Sequence, residues 1–133
     1  MRIQKVLMID DDPVIRKIIE ISLTKIGNWT VMFAESGRKG IDAIDEFQPD
    51  VVLLDNVMPG LDGPATLTLL RAKESSAQIP IIMMTGKVLK QEIQHYYQLG
   101  ASGVITKPFD PLTLPSDIQT IVDKLFANVA CIA

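Results

Sequence analysis

The sequence predicts an α/β fold in which helices cover both faces of a doubly wound parallel sheet. Short apolar runs alternate with stretches of helical periodicity, and the four clearest runs are Val6–Ile9, Val51–Leu54, Ile81–Met84 and Gly103–Ile105. The first three are apolar at every position, which is typical of parallel strands buried on both faces. A weaker run at Trp29–Ala34 supplies a fifth strand. The chain is therefore predicted to contain five βα units.

A helix is predicted after each strand from apolar periodicity and capping residues. The first begins with Asp12 as N-cap and Pro13 at the first helical position, and it ends at Gly27–Asn28. The other four are predicted at Arg38–Phe47, Pro64–Lys73, Lys90–Leu99 and Leu112–Phe126. Pro115 falls in the first turn of the last helix, where proline is tolerated.

The composition is that of one folded domain spanning residues 1–133. Hydrophobic residues make up 47% of the chain and charged residues 22%, which excludes intrinsic disorder. Cys131 is the single cysteine and His95 the single histidine, so an intramolecular disulfide and a zinc site of His and Cys ligands are excluded. We interpret Cys131 as an inert thiol and His95 as a surface residue.

Charge and hydropathy narrow the classes of partner. The net charge is −3 and the basic residues form no stripe, which argues against direct nucleic-acid binding. No apolar run approaches the roughly 20 residues that span a bilayer, and the apolar stretch near the N-terminus is too short for a signal peptide. We expect a cytoplasmic protein that makes no membrane contact.

Polar residues follow the apolar runs at the points where the strands end. Asp10 and Asp11 follow the first strand, Asp55 the third, Thr85 the fourth and Lys107 the fifth. In an open α/β sheet, ligands bind in the crevice outside the carboxyl ends of the strands. We therefore expect these five side chains to collect at one end of the sheet and to form the functional site.

The chemistry of this set indicates phosphoryl transfer to a carboxylate. Asp10, Asp11 and Asp55 crowd negative charge into one place, which a hard divalent cation such as Mg²⁺ would relieve through oxygen ligands. Lys107 offers a positive charge for a phosphate oxygen, and Thr85 offers a hydrogen-bond donor. An aspartate nucleophile would then form an aspartyl phosphate.

Four motifs resemble the receiver domain of two-component response regulators. They are VLMIDDDP, VVLLDNVMPGLDG, IIMMTGK and GVITKPFDP, in this order and spacing. The resemblance covers residues 5–125 and is highly specific. It implies a flavodoxin-like (βα)5 sheet with strand order 2-1-3-4-5, and it implies a single receiver with no output domain.

The resemblance also assigns metal and acceptor roles. Asp55 corresponds to the phospho-accepting aspartate, Asp11 to a direct Mg²⁺ ligand, and Asp10 to a partner that acts through water. The backbone carbonyl of Val57 would complete the protein's share of the metal site. Asp12 matches no catalytic position, in agreement with its interpretation as a helix cap.

Three further roles are implied at the fourth and fifth strands. Thr85 corresponds to the switch hydroxyl, Lys107 to the phosphate-binding lysine, and the bond from Lys107 to Pro108 would be cis. The second switch position, usually Tyr or Phe, is Val104 here. Tyr96 or Tyr97 in the fourth helix would be a substitute, although packing is the interpretation we favour for both.

Other departures concern the loops around the acceptor. Gly86 follows Thr85 where the family usually has Ala, which favours a looser loop. Val57 and Lys87 occupy positions that tune dephosphorylation in the family. Because the Val57 side chain cannot orient an attacking water, we expect a long-lived phosphoryl group.

The expected partners follow from the resemblance. A sensor histidine kinase or a phosphotransfer protein would donate the phosphoryl group, and the chain would catalyse only its own phosphorylation and dephosphorylation. The signal would pass to an unknown downstream protein through a face built from Lys90, Gln91, Gln94, His95, Val104 and Asp117. We expect a monomer or a phosphorylation-dependent homodimer; the apolar segment 126–133 would extend the last helix and pack on the core, or form a partner patch.

Two other hypotheses stay open on the sequence. Asp10 to Val14 fits the D-x-D-x-V pattern of haloacid dehalogenase-type phosphatases, with Asp10 as nucleophile. That family requires an acidic pair after Lys107, which is missing, and it leaves Asp55 unexplained. The other hypothesis is a receiver-like binding module that acts without phosphorylation, although such modules usually lose a key residue and this chain retains all of them.

Overall fold

Five parallel strands form one sheet in this computed structural model, which describes residues 2–86 and 89–132, with side chains as far as residue 127. The strands are β1 (Lys5–Ile9), β2 (Thr30–Ala34), β3 (Val51–Asp55), β4 (Ile81–Thr85) and β5 (Gly103–Thr106). They pair in the order β2-β1-β3-β4-β5, with β2 and β5 at the two sides. The predicted doubly wound sheet and its strand order are confirmed.

Helices connect successive strands and cover both faces of the sheet. They are α1 (Pro13–Ile21), α2 (Gly37–Phe47), α3 (Gly63–Ala72), α4 (Lys90–Gln98) and α5 (Leu114–Ile132). A π-helical turn at Ser22–Ile26 continues α1, and a 3₁₀ turn at Glu74–Ser76 follows α3. Helices α2, α3 and α4 pack on one face, here called the α2–α4 face, and α1 and α5 pack on the other, the α1–α5 face.

Alternation along the strands explains why the central ones are apolar throughout. In β1, Leu7 and Ile9 belong to the core of the α2–α4 face, whereas Val6 and Met8 belong to the core of the α1–α5 face. All four are fully buried. Successive strand residues point to opposite faces, so a strand covered on both sides has no position left for a polar side chain. Trp29, just before β2, packs against the core of the α1–α5 face.

The first and last helices differ from their predicted extents. Helix α1 passes into the π-helical turn, where Gly27 N–H donates to the Ser22 carbonyl and the Ser22 hydroxyl donates to the Pro111 carbonyl. Helix α5 begins at Leu114 and not at Leu112, because the Asp110 carboxylate accepts the Leu112 N–H at 2.9 Å and holds a separate turn.

The far end of α5 extends to Ile132, beyond the predicted end at Phe126. The added segment contains no glycine or proline to stop a helix. Phe126, the first residue of the segment predicted to pack on the core, is 41% exposed. The packing predicted for residues 128–133 and the interpretation of Cys131 concern side chains outside the described residues. Across residues 2–86 and 89–132, no helix combines the length and the apolar character needed to cross a membrane.

The register of the sheet brings the carboxyl ends of the strands to one level. Asp55 pairs with Met84 between β3 and β4, and Thr85 pairs with Thr106 between β4 and β5. Asp55 and Thr85 are themselves the last residues of their strands. Side chains from three strands are therefore held at the same end by backbone hydrogen bonds, on a rigid support.

Arg71 of α3 ties together two loops at the opposite end of the sheet. Its guanidinium donates to the carbonyls of Gly100 at 2.8 Å and Ile79 at 2.7 Å, and also to Ser76, Ala77 and the Ser102 hydroxyl. Gly100 has φ of 108°, and a Cβ there would lie 2.8 Å from Arg71 Cγ, so only glycine fits. Burial lowers the pKa of Arg71, because it disfavours the charged form of the guanidinium.

Substitution Arg71→Lys is expected to lower the free energy of unfolding by about 2 kcal/mol, because one ammonium cannot reach both loops and leaves carbonyls unsatisfied. Urea denaturation measures the change. The matched control is Arg38→Lys on the exposed surface of α2, which should change stability by less than about 0.5 kcal/mol. Equal stability of Arg71→Lys and the parent would contradict this assignment.

Candidate functional site

Asp10 and Asp12 have different roles although they are separated by one residue. Asp10 is fully buried; its N–H extends the β1–β2 ladder by donating to the Ala34 carbonyl, and its Oδ1 accepts the Asp12 N–H at 2.8 Å. The Asp12 side chain accepts the Val14 N–H at 2.9 Å and caps α1, as predicted. Asp11, between them, is exposed.

Asp55 lies at the centre of the charged cluster. Its side chain is buried, and its Oδ1 accepts a hydrogen bond from Lys107 Nζ at 2.8 Å. The same ammonium lies 3.6 Å from Asp10 Oδ2. Lys107 is therefore shared between two buried carboxylates from neighbouring strands. The Lys107–Pro108 peptide bond, which directs the chain away after β5, is cis.

Three carboxylates are close enough to share a metal ion. Oxygen atoms of Asp10, Asp11 and Asp55 lie within 4.8 Å of one another. Asp10 Oδ2 is buried and accepts no hydrogen bond among the described residues, although Lys107 Nζ lies 3.6 Å away, so it can still act as a metal ligand. A set of oxygen donors that includes an unsatisfied carboxylate fits Mg²⁺.

Burial and charge shift the ionisation of two of these groups in the same direction. Burial raises the pKa of Asp10, and the negative charges of Asp55 and Asp11 raise it further. The hydrogen bond from the Asp12 N–H and the positive charge of Lys107 lower this pKa, but they do not cancel the rise. Burial lowers the pKa of Lys107, but the hydrogen bond and charge of Asp55, helped by Asp10, more than offset this and leave the pKa raised. Lys107 is therefore positively charged at neutral pH.

The start of α3 packs closely on the backbone that follows the acceptor. Gly63 N–H donates to the Asn56 carbonyl at 3.0 Å, and a Cβ on Gly63 would lie 2.5 Å from the Asp55 carbonyl oxygen. Only glycine permits this approach. Val57, the predicted carbonyl ligand, lies in the loop between β3 and α3, and its side chain is 74% exposed.

A second group of polar side chains lies beside the cluster and on the α2–α4 face. The Tyr96 hydroxyl donates to Asn56 Oδ1 at 2.7 Å, while its ring is buried in the core of that face. Burial raises the pKa of Tyr96, and the Glu92 charge adds to this, whereas the hydroxyl of Thr85 and the amide of Asn56 hold it down. Thr85 Oγ1 is buried, and it does not align with a hydrogen-bond partner in the described part of the chain.

This second group was incompletely predicted. Packing, the role expected for Tyr96, is correct for the ring but omits the hydroxyl. Asn56 is absent from the predicted site, although its position directly after Asp55 is a signal. Tyr97, by contrast, is half-exposed.

The remaining predicted positions have simple surroundings. Val104 is partly buried and packs against the core of the α2–α4 face. A Cβ on Gly86 would contact nothing within 4 Å, so the space around it does not require glycine. Lys87 lies outside the described residues. The polar residues of the predicted partner face are exposed: Lys90, Gln91, Gln94, His95 and Asp117.

Comparison with known proteins identifies the class. The family model for the response regulator receiver domain matches residues 6–119, and the chain belongs to this family. The fold resembles Vibrio cholerae chemotaxis protein CheY4 with a TM-score of 0.84 and 28% identity, over 90% of this chain and 98% of that one. A putative response regulator from Chloroflexus aurantiacus gives a TM-score of 0.82 and 26% identity, with the same coverage.

Curated relatives are longer proteins. The DNA-binding dual master transcriptional regulator RpaA of Synechocystis sp. is 37% identical over 120 residues, which cover 90% of this chain and 49% of RpaA. The probable transcriptional regulator ycf27 of Porphyridium aerugineum is 37% identical over 131 residues, 96% of this chain and 53% of that protein. The chain spans about half the length of these relatives.

Substitution Asp10→Asn is expected to stabilise the metal-free protein at neutral pH by on the order of 1 kcal/mol. Because the folded state raises the pKa of Asp10, folding favours its protonated form, and stability is lost as pH rises through that folded pKa. The amide side chain of the variant cannot ionise, so the variant does not lose this stability as pH rises.

Urea denaturation in EDTA between pH 4 and pH 8 tests this expectation. The stability gap between the variant and the parent should widen as pH rises. Adding Mg²⁺ should stabilise the parent more than the variant, because only the parent keeps the complete carboxylate set. A variant less stable than the parent at every pH in EDTA would show that the Asp10 charge does not destabilise the fold.

Proposed function

We propose that this chain is a phosphorylation-dependent signalling receiver of the cytoplasm. Asp55 accepts a phosphoryl group from a phosphohistidine on a sensor histidine kinase or a phosphotransfer protein. The observation that carries the proposal is the buried Asp55 carboxylate bonded to Lys107 at 2.8 Å inside a carboxylate cluster. Membership of the receiver family supports the same conclusion.

The transfer is a displacement at phosphorus. An oxygen of the Asp55 carboxylate attacks the phosphorus atom while the phosphorus–nitrogen bond of the donor breaks, and the electron pair of that bond returns to the ring nitrogen. The Lys107 ammonium contacts the Asp55 carboxylate, so it can shift its contact to a phosphoryl oxygen as the negative charge moves there. Thr85 Oγ1, which lacks a partner in the described part of the chain, supplies a further donor.

Asp10, Asp11, Asp55 and the Val57 carbonyl would hold Mg²⁺. When bound, this ion supplies positive charge that neutralises the transferring phosphoryl oxygens. The protein residues do the rest of the work: Lys107 orients the nucleophilic carboxylate before transfer, and the apolar core beneath fixes the strand ends that carry all these groups. The chain acts on its own aspartate, and we propose no separate substrate that it turns over.

The output is a change in protein binding. Phosphorylation adds nearly two negative charges and three acceptor oxygens beside Thr85 and Lys107. Their movement would alter the exposed face of α4, β5 and α5. The names of the longer relatives refer to transcriptional regulation, but this chain has a net charge of −3 and no basic stripe. We therefore propose that this chain contacts protein and not nucleic acid.

Incubation with Mg²⁺ and acetyl phosphate is expected to add one phosphoryl group, because Asp55 is the carboxylate oriented by Lys107. Intact-mass analysis reads the adduct. It should be absent from Asp55→Asn and blocked by EDTA. The matched control is Asp12→Asn, which alters a neighbouring carboxylate that only caps α1 and should still take up the group.

The outcomes separate the competing hypotheses. If the parent takes up no phosphoryl group and also fails to bind the beryllofluoride mimic, the chain is a binding module that acts without phosphorylation. Sustained hydrolysis of para-nitrophenyl phosphate that survives Asp55→Asn and is lost in Asp10→Asn would instead favour the phosphatase.

The phosphoryl group on Asp55 is expected to be long-lived, because the exposed Val57 side chain beside it has no polar atom to orient an attacking water. The variant Val57→Asn introduces such an atom and should accelerate dephosphorylation by roughly tenfold, within the range of a positioned polar group. Decay of the intact-mass adduct after removal of acetyl phosphate gives the rate. A half-life of a few seconds in the parent would refute this expectation.

A further inference from the structure

The strand alternation divides the site between the two faces of the sheet. In β4, Ile81 and Met83 belong to the α2–α4 core, which places Thr85, two residues further on, on the same face. Asn56 follows Val52 and Leu54 in the same way after β3. The hydroxyl of Thr85 and the amide of Asn56 therefore meet α4, the helix that carries Tyr96.

Asn56 is a fixed point beside the phospho-acceptor. Its N–H donates to the Met84 carbonyl at 3.0 Å, and its carbonyl accepts the Gly63 N–H at 3.0 Å. The backbone of Asn56 is thus held by β4 on one side and by the start of α3 on the other. The hydrogen bond from Tyr96 to Asn56 Oδ1, at 2.7 Å, consequently ties α4 to the residue adjacent to Asp55.

Tyr96 is a buried aromatic residue that shares its core with Val104. Val104 of β5 is partly buried and packs against the same core that encloses the Tyr96 ring, which is 4% exposed. The Tyr96 hydroxyl also neighbours Thr85, whose own oxygen has no hydrogen-bond partner within the described residues. A buried tyrosine thus contacts both polar groups that flank the acceptor on this face.

We propose that the Tyr96–Asn56 hydrogen bond is a tether that holds α4 in its resting position and is released when Asp55 is phosphorylated. This inference rests on the proposed function. In the resting arrangement Asp55 is bonded to Lys107, and the Thr85 hydroxyl neighbours the Tyr96 hydroxyl without an aligned hydrogen bond among the described residues. When Thr85 moves towards the phosphoryl group, the Tyr96 hydroxyl loses a polar neighbour. The added negative charge lies directly beside Asn56, which accepts the hydrogen bond from Tyr96. Tyr96 is a positioning residue, since it acts through Asn56 and Thr85.

The variant Tyr96→Phe removes the hydroxyl and keeps the ring in the core. Because the tether favours the resting state, its loss should tighten binding of Mg²⁺–beryllofluoride by about fivefold, the ratio expected for one net hydrogen bond. The backbone amide resonances of α4 in the variant without the mimic should also lie part of the way towards those of the mimic-bound parent. A residue that only packs would move neither quantity.

Two further variants keep the test decisive. Tyr97→Phe removes a hydroxyl from the adjacent, half-exposed residue and should match the parent in both measurements. Asn56→Ala removes the acceptor while leaving Tyr96 intact, and it replaces Tyr96→Phe if that variant fails to fold. The double variant should bind the mimic no more tightly than either single variant, because both changes break the same bond.

The outcomes distinguish this inference from the function on which it rests. If the parent binds the mimic and Tyr96→Phe binds it equally well with unshifted α4 resonances, the tether is wrong and the receiver function stands. If the parent neither binds the mimic nor takes up a phosphoryl group, the receiver function fails and the tether fails with it. Tighter binding by Tyr96→Phe together with unchanged binding by Tyr97→Phe supports the tether.

Discussion

Electrostatic crowding at the carboxyl end of the sheet is the constraint on which the rest of the structure depends. Asp10 and Asp55 are buried there beside Asp11, and burying like charges together costs free energy that must be offset elsewhere. Lys107 offsets part of it by contacting both buried carboxylates. The apolar core below contributes the remainder, since the central strands are buried on both faces.

The two faces of the sheet divide the site into chemistry and response. Asp10 continues the β1 positions that face α1 and α5, and Lys107 continues β5 towards the same side. Asn56 and Thr85 lie on the opposite face, where they meet Tyr96 of α4. Under the proposed function, a charge placed on Asp55 would therefore be neutralised from one face and sensed from the other. This arrangement would let a change at the end of the sheet pass to α4.

The sequence predicted most of the fold and the charged half of the site, for physical reasons. Strands covered on both faces must be apolar at every position, and a parallel sheet brings their polar successors together. What the sequence did not reveal depends on contacts between distant residues. In the π-helical turn at Ser22–Ile26, the Ser22 hydroxyl donates to the carbonyl of the distant Pro111. The Tyr96 hydroxyl likewise donates to Asn56, 40 residues earlier in the chain. Packing was the role expected for Tyr96, but the sequence carried no information about which residue accepts the hydrogen bond of its hydroxyl.

The position of Trp29 has a consequence for optical spectroscopy. It is the single tryptophan of the chain, and it lies where β2 begins, at the end of the sheet opposite the carboxylates, packed on the core of the α1–α5 face. Its indole emission therefore reports the loss of that core when the protein unfolds. It is separated by the length of a strand from the carboxylate cluster and by the thickness of the sheet from Tyr96. Fluorescence would therefore follow denaturation, whereas a change confined to Asp55, Asn56 and Tyr96 would leave it unaltered.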